Sequence, residues 1–362
     1  MKHLRKITYL VLVLAMVLTL VACGGEKTPQ QGSETPAGNE TPAGNETPAA
    51  AGKIAKLGLG KVVSLAKSGE IGEEGGSAQE DTTVVAAGFD ADGKIVSVSI
   101  DVAQNKAKLE KGGAFGFDVA ASGKSKKELG ADYGMVGRSE IKKEWFEQAE
   151  ALEKYWVGKT VDEVMKMEVK ERDEAHKAVP ASPDLTSSVT ITIDGYQNAL
   201  KDAFDNAVEV KTPAEKVGLG LVSGFGHGTK AAEGENGSKV QFETYMSAVA
   251  VDADGKIAAV VIDTAQNTVA YTTDGKLAPE FKAEGTTKKV LKEEYGMKKA
   301  SKIGKEWYEQ IEALEAHLIG KTAEEVAGLK LEEGKAVDLA SSVTISVGGY
   351  QAVVGEAVKN AK

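Results

Sequence analysis

The chain has 362 residues, with 54 acidic against 44 basic side chains and a net charge of -10 at neutral pH. That balance argues against nucleic acid as a partner and against anionic lipid headgroups as a docking surface. A single cysteine, Cys23, excludes an intrachain disulfide, and the histidines (His3, His176, His227 and His317) share no ligand spacing, so no metal site is expected.

Lys2, Arg5 and Lys6 precede an apolar run from Ile7 to Ala22, the layout of a secretory signal. Leu20-Val21-Ala22-Cys23 resembles a bacterial lipobox. Residues 1–22 then read as a lipoprotein signal peptide, and Cys23 as the lipidated mature N-terminus on the outer face of the cytoplasmic membrane. A retained transmembrane anchor is the alternative, but the run is short against the roughly 20 residues that span a bilayer. Cleavage removes three positive charges and takes the net charge from -10 to -13. Residues 23–52 form the lipid anchor and a tether, where Glu34-Thr-Pro-Ala-Gly-Asn39 recurs as Glu40 to Asn45 and begins again at Glu46. Such a composition buries too little apolar area to fold and predicts a disordered spacer.

Beyond the tether the sequence repeats. Asp90-Ala-Asp-Gly-Lys-Ile95, Ala103-Gln-Asn105, Tyr133-Gly-Met135, Lys143-Glu-Trp145 and Gly158-Lys-Thr160 all recur 162 positions later. We read a tandem duplication of two α+β domains, residues 53–208 and 216–362, a natural size for independent cores. On a flexible tether each domain is expected to swing. Each opens with a glycine-rich apolar stretch, Leu57-Gly-Leu-Gly60 or Val217-Gly-Leu-Gly220, followed by a hairpin turning at Asp-Gly. The run Gly224-Phe-Gly-His-Gly228 has no counterpart and reads as a loop. An amphipathic helix opening at Ser139 carries Ile141, Trp145, Ala149, Leu152 and Trp156 on one stripe; its twin carries Ile303, Trp307, Ile311, Leu314 and Leu318. Gly158 and Gly320 end these helices, and Thr160-x-x-Glu163 and Thr322-x-x-Glu325 cap short second helices. An alanine-rich helix closes each domain, Gln197 to Ala207 and Gln351 to Ala361.

Trp145 and Trp307 lie on the apolar stripe, which favours core packing over a stacking platform. Tyr133, Met135, Tyr295 and Met297 sit beside a glycine that permits close approach, and are weaker candidates to line a site. Gly58-x-Gly60 has no dinucleotide fingerprint around it, and no nucleophile elbow, zinc-protease or P-loop motif occurs. The segment Asp184-Leu-Thr-Ser-Ser-Val-Thr-Ile191 returns as Asp338-Leu-Ala-Ser-Ser-Val-Thr-Ile345 with seven of eight positions identical. From residue types alone it is either a serine-rich turn entering a strand, with Val189, Ile191 and Ile193 pointing one way, or a chemical site used twice.

Asp-x-x-Ser-Ser-Val-Thr-x-Thr/Ser resembles the Asp-x-x-Ser-Gly-Ala-Thr-x-Thr/Ser signature of the FMN-binding domain family. With the signal, tether and paired motif, the whole chain is similar to the extracellular electron transfer flavoproteins of Gram-positive bacteria. The resemblance implies two FMN groups joined by phosphoester bonds to Thr190 and Thr344. They would be installed from FAD by a flavin transferase that needs a divalent metal and reads Asp184 and Asp338. Ser187, Ser188, Ser341 and Ser342 complete the motif, and this chain departs from the pattern with Ser188 and Ser342 for Gly and Val189 and Val343 for Ala. It implies a carrier, not an enzyme, taking electrons from a membrane quinol-linked dehydrogenase system and passing them to extracellular acceptors such as ferric iron. A solute-binding surface lipoprotein and a structural or adhesive module are the competing readings. An acidic surface near the ring would favour the oxidised or neutral flavin.

Overall fold

A computed structural model describes residues 54–362. The signal, Cys23 and the tether lie outside these residues. Among the described residues no helix is long and apolar enough to cross a membrane.

The described chain is α+β. Three long antiparallel strands come first: β1 (Lys56–Ser64), β2 (Gly76–Phe89) and β3 (Ile95–Leu109). They are followed by α1 (Trp145–Trp156) and α2 (Asp194–Asp205). The order then recurs as β4 (Lys216–Phe225), β5 (Lys239–Val251), β6 (Ile257–Ala270), α3 (Trp307–Leu318) and α4 (Gly348–Lys359). Each sheet is built on a meander, β1-β2-β3 or β4-β5-β6, in continuous register except for one irregularity beside the Asp-Gly turn, at Gly88/Phe89 and at Ala250/Val251. In the first sheet the short strand Val208–Glu209 adds antiparallel to β1 at Lys56 and Leu57. The hairpin turns fall at Asp90–Lys94 and Asp252–Lys256, where the aspartate Oδ1 accepts two backbone N–H groups.

Strand alternation assigns each face a different task. In β2, Val85, Ala87 and Phe89 pack under the first pair of helices, while Val84 and Ala86 point the other way. In β5, Val249 and Val251 face the second pair of helices, while Met246, Ala248 and Ala250 point away. The faces turned from the helices meet each other, so Leu57, Leu59 and Val63 share one buried cluster with Leu219, Leu221 and Val261. The result is four layers, helices on the outside and two sheets within, and the described residues, 54–362, belong to one compact unit. The halves therefore share a core instead of swinging separately. At one end of the sheet interface the fully buried Glu80 accepts hydrogen bonds from Thr82 Oγ1, Thr244 Oγ1 and Asn267 Nδ2, two of them across the halves.

The glycine pairs serve this layering. A Cβ on Gly60 would lie 1.7 Å from the Ala199 carbonyl oxygen, and one on Gly220 2.0 Å from that of Val353. The closing helices press directly onto the strands, as only glycine permits.

Three expectations change. The stripe helices start at Trp145 and Trp307, not near Ser139, because Glu144 and Glu306 hold the cap positions and their N–H groups donate to Glu147 and Glu309. The Ser-Ser-Val-Thr segment enters no strand: it runs from a short helix, Pro183–Thr186, through a bend into α2, while Val189, Ile191 and Ile193 are all buried. Gly224 and Phe225 belong to β4, and the turn begins only at Gly226.

Candidate functional site

Each threonine of interest is held by one buried glutamine. The Thr190 N–H donates to Gln148 Oε1 at 2.8 Å and its hydroxyl to the same oxygen at 3.2 Å. Thr344 repeats both distances on Gln310. The glutamine cannot rotate away, because its Nε2 donates to Ser139 Oγ and Lys143 O, or to Ser301 Oγ and Lys305 O in the second half. Both glutamines are fully buried. The sequence reading missed them, although a polar residue three positions after each tryptophan, on the apolar stripe and in both halves, was a usable signal.

Thr190 lines a cleft of about 480 Å³, a volume suited to a small-molecule ligand. Tyr133, Met135 and Trp145 form its apolar wall. Trp145 is itself core, 1% exposed, and its Nε1 donates to Tyr196 Oη at 2.9 Å. The Tyr133 hydroxyl donates to Gln104 Oε1 at 3.2 Å, so the Ala-Gln-Asn motif has a role in setting the ring. Glu144 fixes the next turn by accepting the N–H groups of Met135 and Val136, and these bonds hold its carboxyl below the usual range. The second half repeats these contacts through Tyr295 with Gln266, Met297 with Glu306, and Trp307 with Tyr350. Met297 Sδ and Thr344 both touch Gln310.

Charge runs against the expectation of an acidic setting. Among the described residues no carboxylate lines the Thr190 cleft, whereas Lys67, Lys126, Arg138 and Arg172 do. Lys126 Nζ lies 4.9 Å from the Tyr133 ring centre and 5.2 Å from that of Trp145, within cation–π range. Burial lowers its pKa to about 8, so it remains mostly charged at neutral pH. Arg172 donates to the Thr190 carbonyl at 3.0 Å. It comes from the segment 171–183, where the first half carries eight extra residues. His176 lines the same cleft.

The other motif residues divide by task. Ser188 and Ser342 shape the turn, each hydroxyl donating to the carbonyl three residues earlier. Asp184, Asp338, Ser187 and Ser341 are exposed, placed where another protein could read them. Thr192 lines the Thr190 cleft, and its Oγ1 is buried without a hydrogen-bond partner among the described residues. A phosphorylated, flat aromatic group fits this donor set: an orphaned hydroxyl and four cations for an anion, and a ring-lined wall for the aromatic part. Among the described residues no cluster of His, Cys, Asp or Glu is arranged to hold a metal ion.

No protein-family model matches the chain, and no solved structure matches it. It is similar to a chlorophenol reductase from Desulfitobacterium hafniense, 32% identical over 164 aligned positions that cover 36% of this chain and 50% of that protein. The match thus spans half the relative's length.

Proposed function

We propose that this chain is a lipid-anchored extracellular electron carrier, a tandem duplication bearing two FMN groups on Thr190 and Thr344. One observation carries the reading: in both halves a buried glutamine fixes the motif threonine through the same pair of hydrogen bonds. Packing alone gives no reason to tether a half-buried hydroxyl this way. The Thr190 hydroxyl donates to Gln148 Oε1 and receives no hydrogen bond from another described residue, which leaves its oxygen able to act as a nucleophile. Attachment from FAD would form the threonine O–P bond and break the pyrophosphate link, releasing AMP and the hydroxyl proton. The bound group would supply reversible electron uptake. The chain's own residues would fix its phosphate, wall one side of its ring with Tyr133 and Met135, and surround it with positive charge.

A transferase using FAD and a divalent metal, a quinol-linked dehydrogenase as donor and ferric iron as acceptor are the partners this reading entails, with Cys23 lipidated on the outer membrane face. The reductase relative is a redox protein by its name, which favours a second reading in which the chain itself reduces an acceptor.

Intact mass and peptide mapping of protein co-expressed with a flavin transferase and exported provide the test. Two additions of FMN less water, on the peptides holding Thr190 and Thr344, are expected. An unmodified chain, with the transferase active on a control substrate, overturns the reading.

A further inference from the structure

The two halves repeat their hydrogen bonds but not their charge. Arg138 in the first half corresponds to Ala300 in the second, where Lys298 and Lys299 replace Val136 and Gly137, positions that do not line the first cleft; Arg172 lies in the segment that the second half lacks. Lys126 corresponds to Lys288, whose Nζ stands 3.5 Å from Glu243. A hollow of about 460 Å³ touches Thr344 from the side of Ala336, Val337 and Ala340, away from Tyr295, Met297 and Trp307, and it brings Glu332, Glu333 and Lys335 near that threonine. In the first half Lys67 and Arg172 have carboxylate partners, Asp81 and Asp173. Neither Lys126 nor Arg138 has a carboxylate within salt-bridge distance among the described residues, so the cleft keeps a positive excess.

Resting on the proposed function, we infer that the two sites differ in redox poise, with the group on Thr190 the stronger electron acceptor, Arg138 setting most of the difference and the Asp173-paired Arg172 the remainder. A flavin that takes up two electrons and one proton gains a net negative charge. Nearby cations stabilise that charge, and nearby carboxylates oppose it, most strongly where water is partly excluded. Electrons entering the chain would therefore collect in the first half, whichever site receives them. The two groups would form a descending pair instead of two equal stores.

The experiment isolates each group in the full-length, transferase-modified protein. Thr344→Ala keeps only the Thr190 group and Thr190→Ala only the Thr344 group, as mass spectrometry verifies. Spectroelectrochemical titration is expected to give the Thr190 group the more positive midpoint, with a gap that narrows as salt rises. In the Thr344→Ala background, Arg138→Gln and Arg172→Gln should each lower that midpoint, and Arg138→Lys should largely restore it. In the Thr190→Ala background the same changes should leave the Thr344 midpoint unmoved. Equal midpoints in the two single-site proteins overturn the inference while leaving the carrier intact. So does a Thr190 midpoint indifferent to both arginines. A chain without FMN on either threonine overturns the carrier reading and this inference with it.

Discussion

Gln148 Oε1 receives two hydrogen bonds from Thr190, one from the main chain and one from the side chain, and Gln310 does the same for Thr344. The backbone bond holds the segment in place and the hydroxyl bond sets the rotamer. If this pairing prepares the threonine for modification, Gln148→Leu should reduce FMN incorporation at Thr190 by about tenfold, equivalent to the ~1–1.5 kcal/mol of one hydrogen bond. Incorporation at Thr344 should stay at its original level. Peptide mass spectrometry of one sample reads both sites, and equal occupancy would show that Gln148 serves packing alone.

Gly60→Ala should be among the most damaging single changes in the first half. Its Cβ would meet Ala199 O at 1.7 Å, and both atoms belong to elements that cannot shift separately. A loss of about 3 kcal/mol or more in urea unfolding is expected. Gly137→Ala is the control, since an added Cβ there meets nothing within 4 Å. Similar losses in the two variants would contradict the close approach of α2 to β1.

Glu80 makes stability depend on pH. Burial is the dominant influence and raises its pKa from 4.5 to about 7, against the three hydrogen bonds that lower it. The folded protein therefore holds a proton that the unfolded chain releases between about pH 4.5 and 7. Stability from this residue is full below that window and is lost as pH rises through it, by roughly 3 kcal/mol in total. Glu80→Gln should flatten the slope, so that it gains on the parent between pH 5 and pH 8. Parallel slopes for the two proteins in urea titrations would show that Glu80 stays ionised in the fold.

Tyr196→Phe tests the tryptophan wall. It leaves the buried Trp145 Nε1 without its acceptor, at a cost of about 1–3 kcal/mol, and should shift the tryptophan emission. Tyr350→Phe should do the same through Trp307. Unchanged stability in both would mean that water replaces the lost oxygen.

Much of this architecture was legible where one residue governs its own neighbourhood. The Asp-Gly turns and the capping boxes at Thr160 and Thr322 depend on contacts within a few residues, and they form as read. Other features depend on distant partners. Val189, Ile191 and Ile193 alternate like a strand, yet all three fill the core from an irregular segment anchored by Gln148, 42 positions away. The basic lining of the cleft was hidden by averaging: an excess of ten acids over the chain says nothing about which charges line one hollow. The shared core escaped because Ala86, Ala248 and Ala250 read as weak strand residues until a second sheet is set against them.

Those small residues at the meeting of the two sheets have one more consequence. Cutting the chain near Thr212 would strip an oily face on each fragment of its cover, inviting aggregation in place of two usable modules. Anyone wishing to study one socket by itself must silence the other by substitution, for this molecule offers no seam along which to divide it.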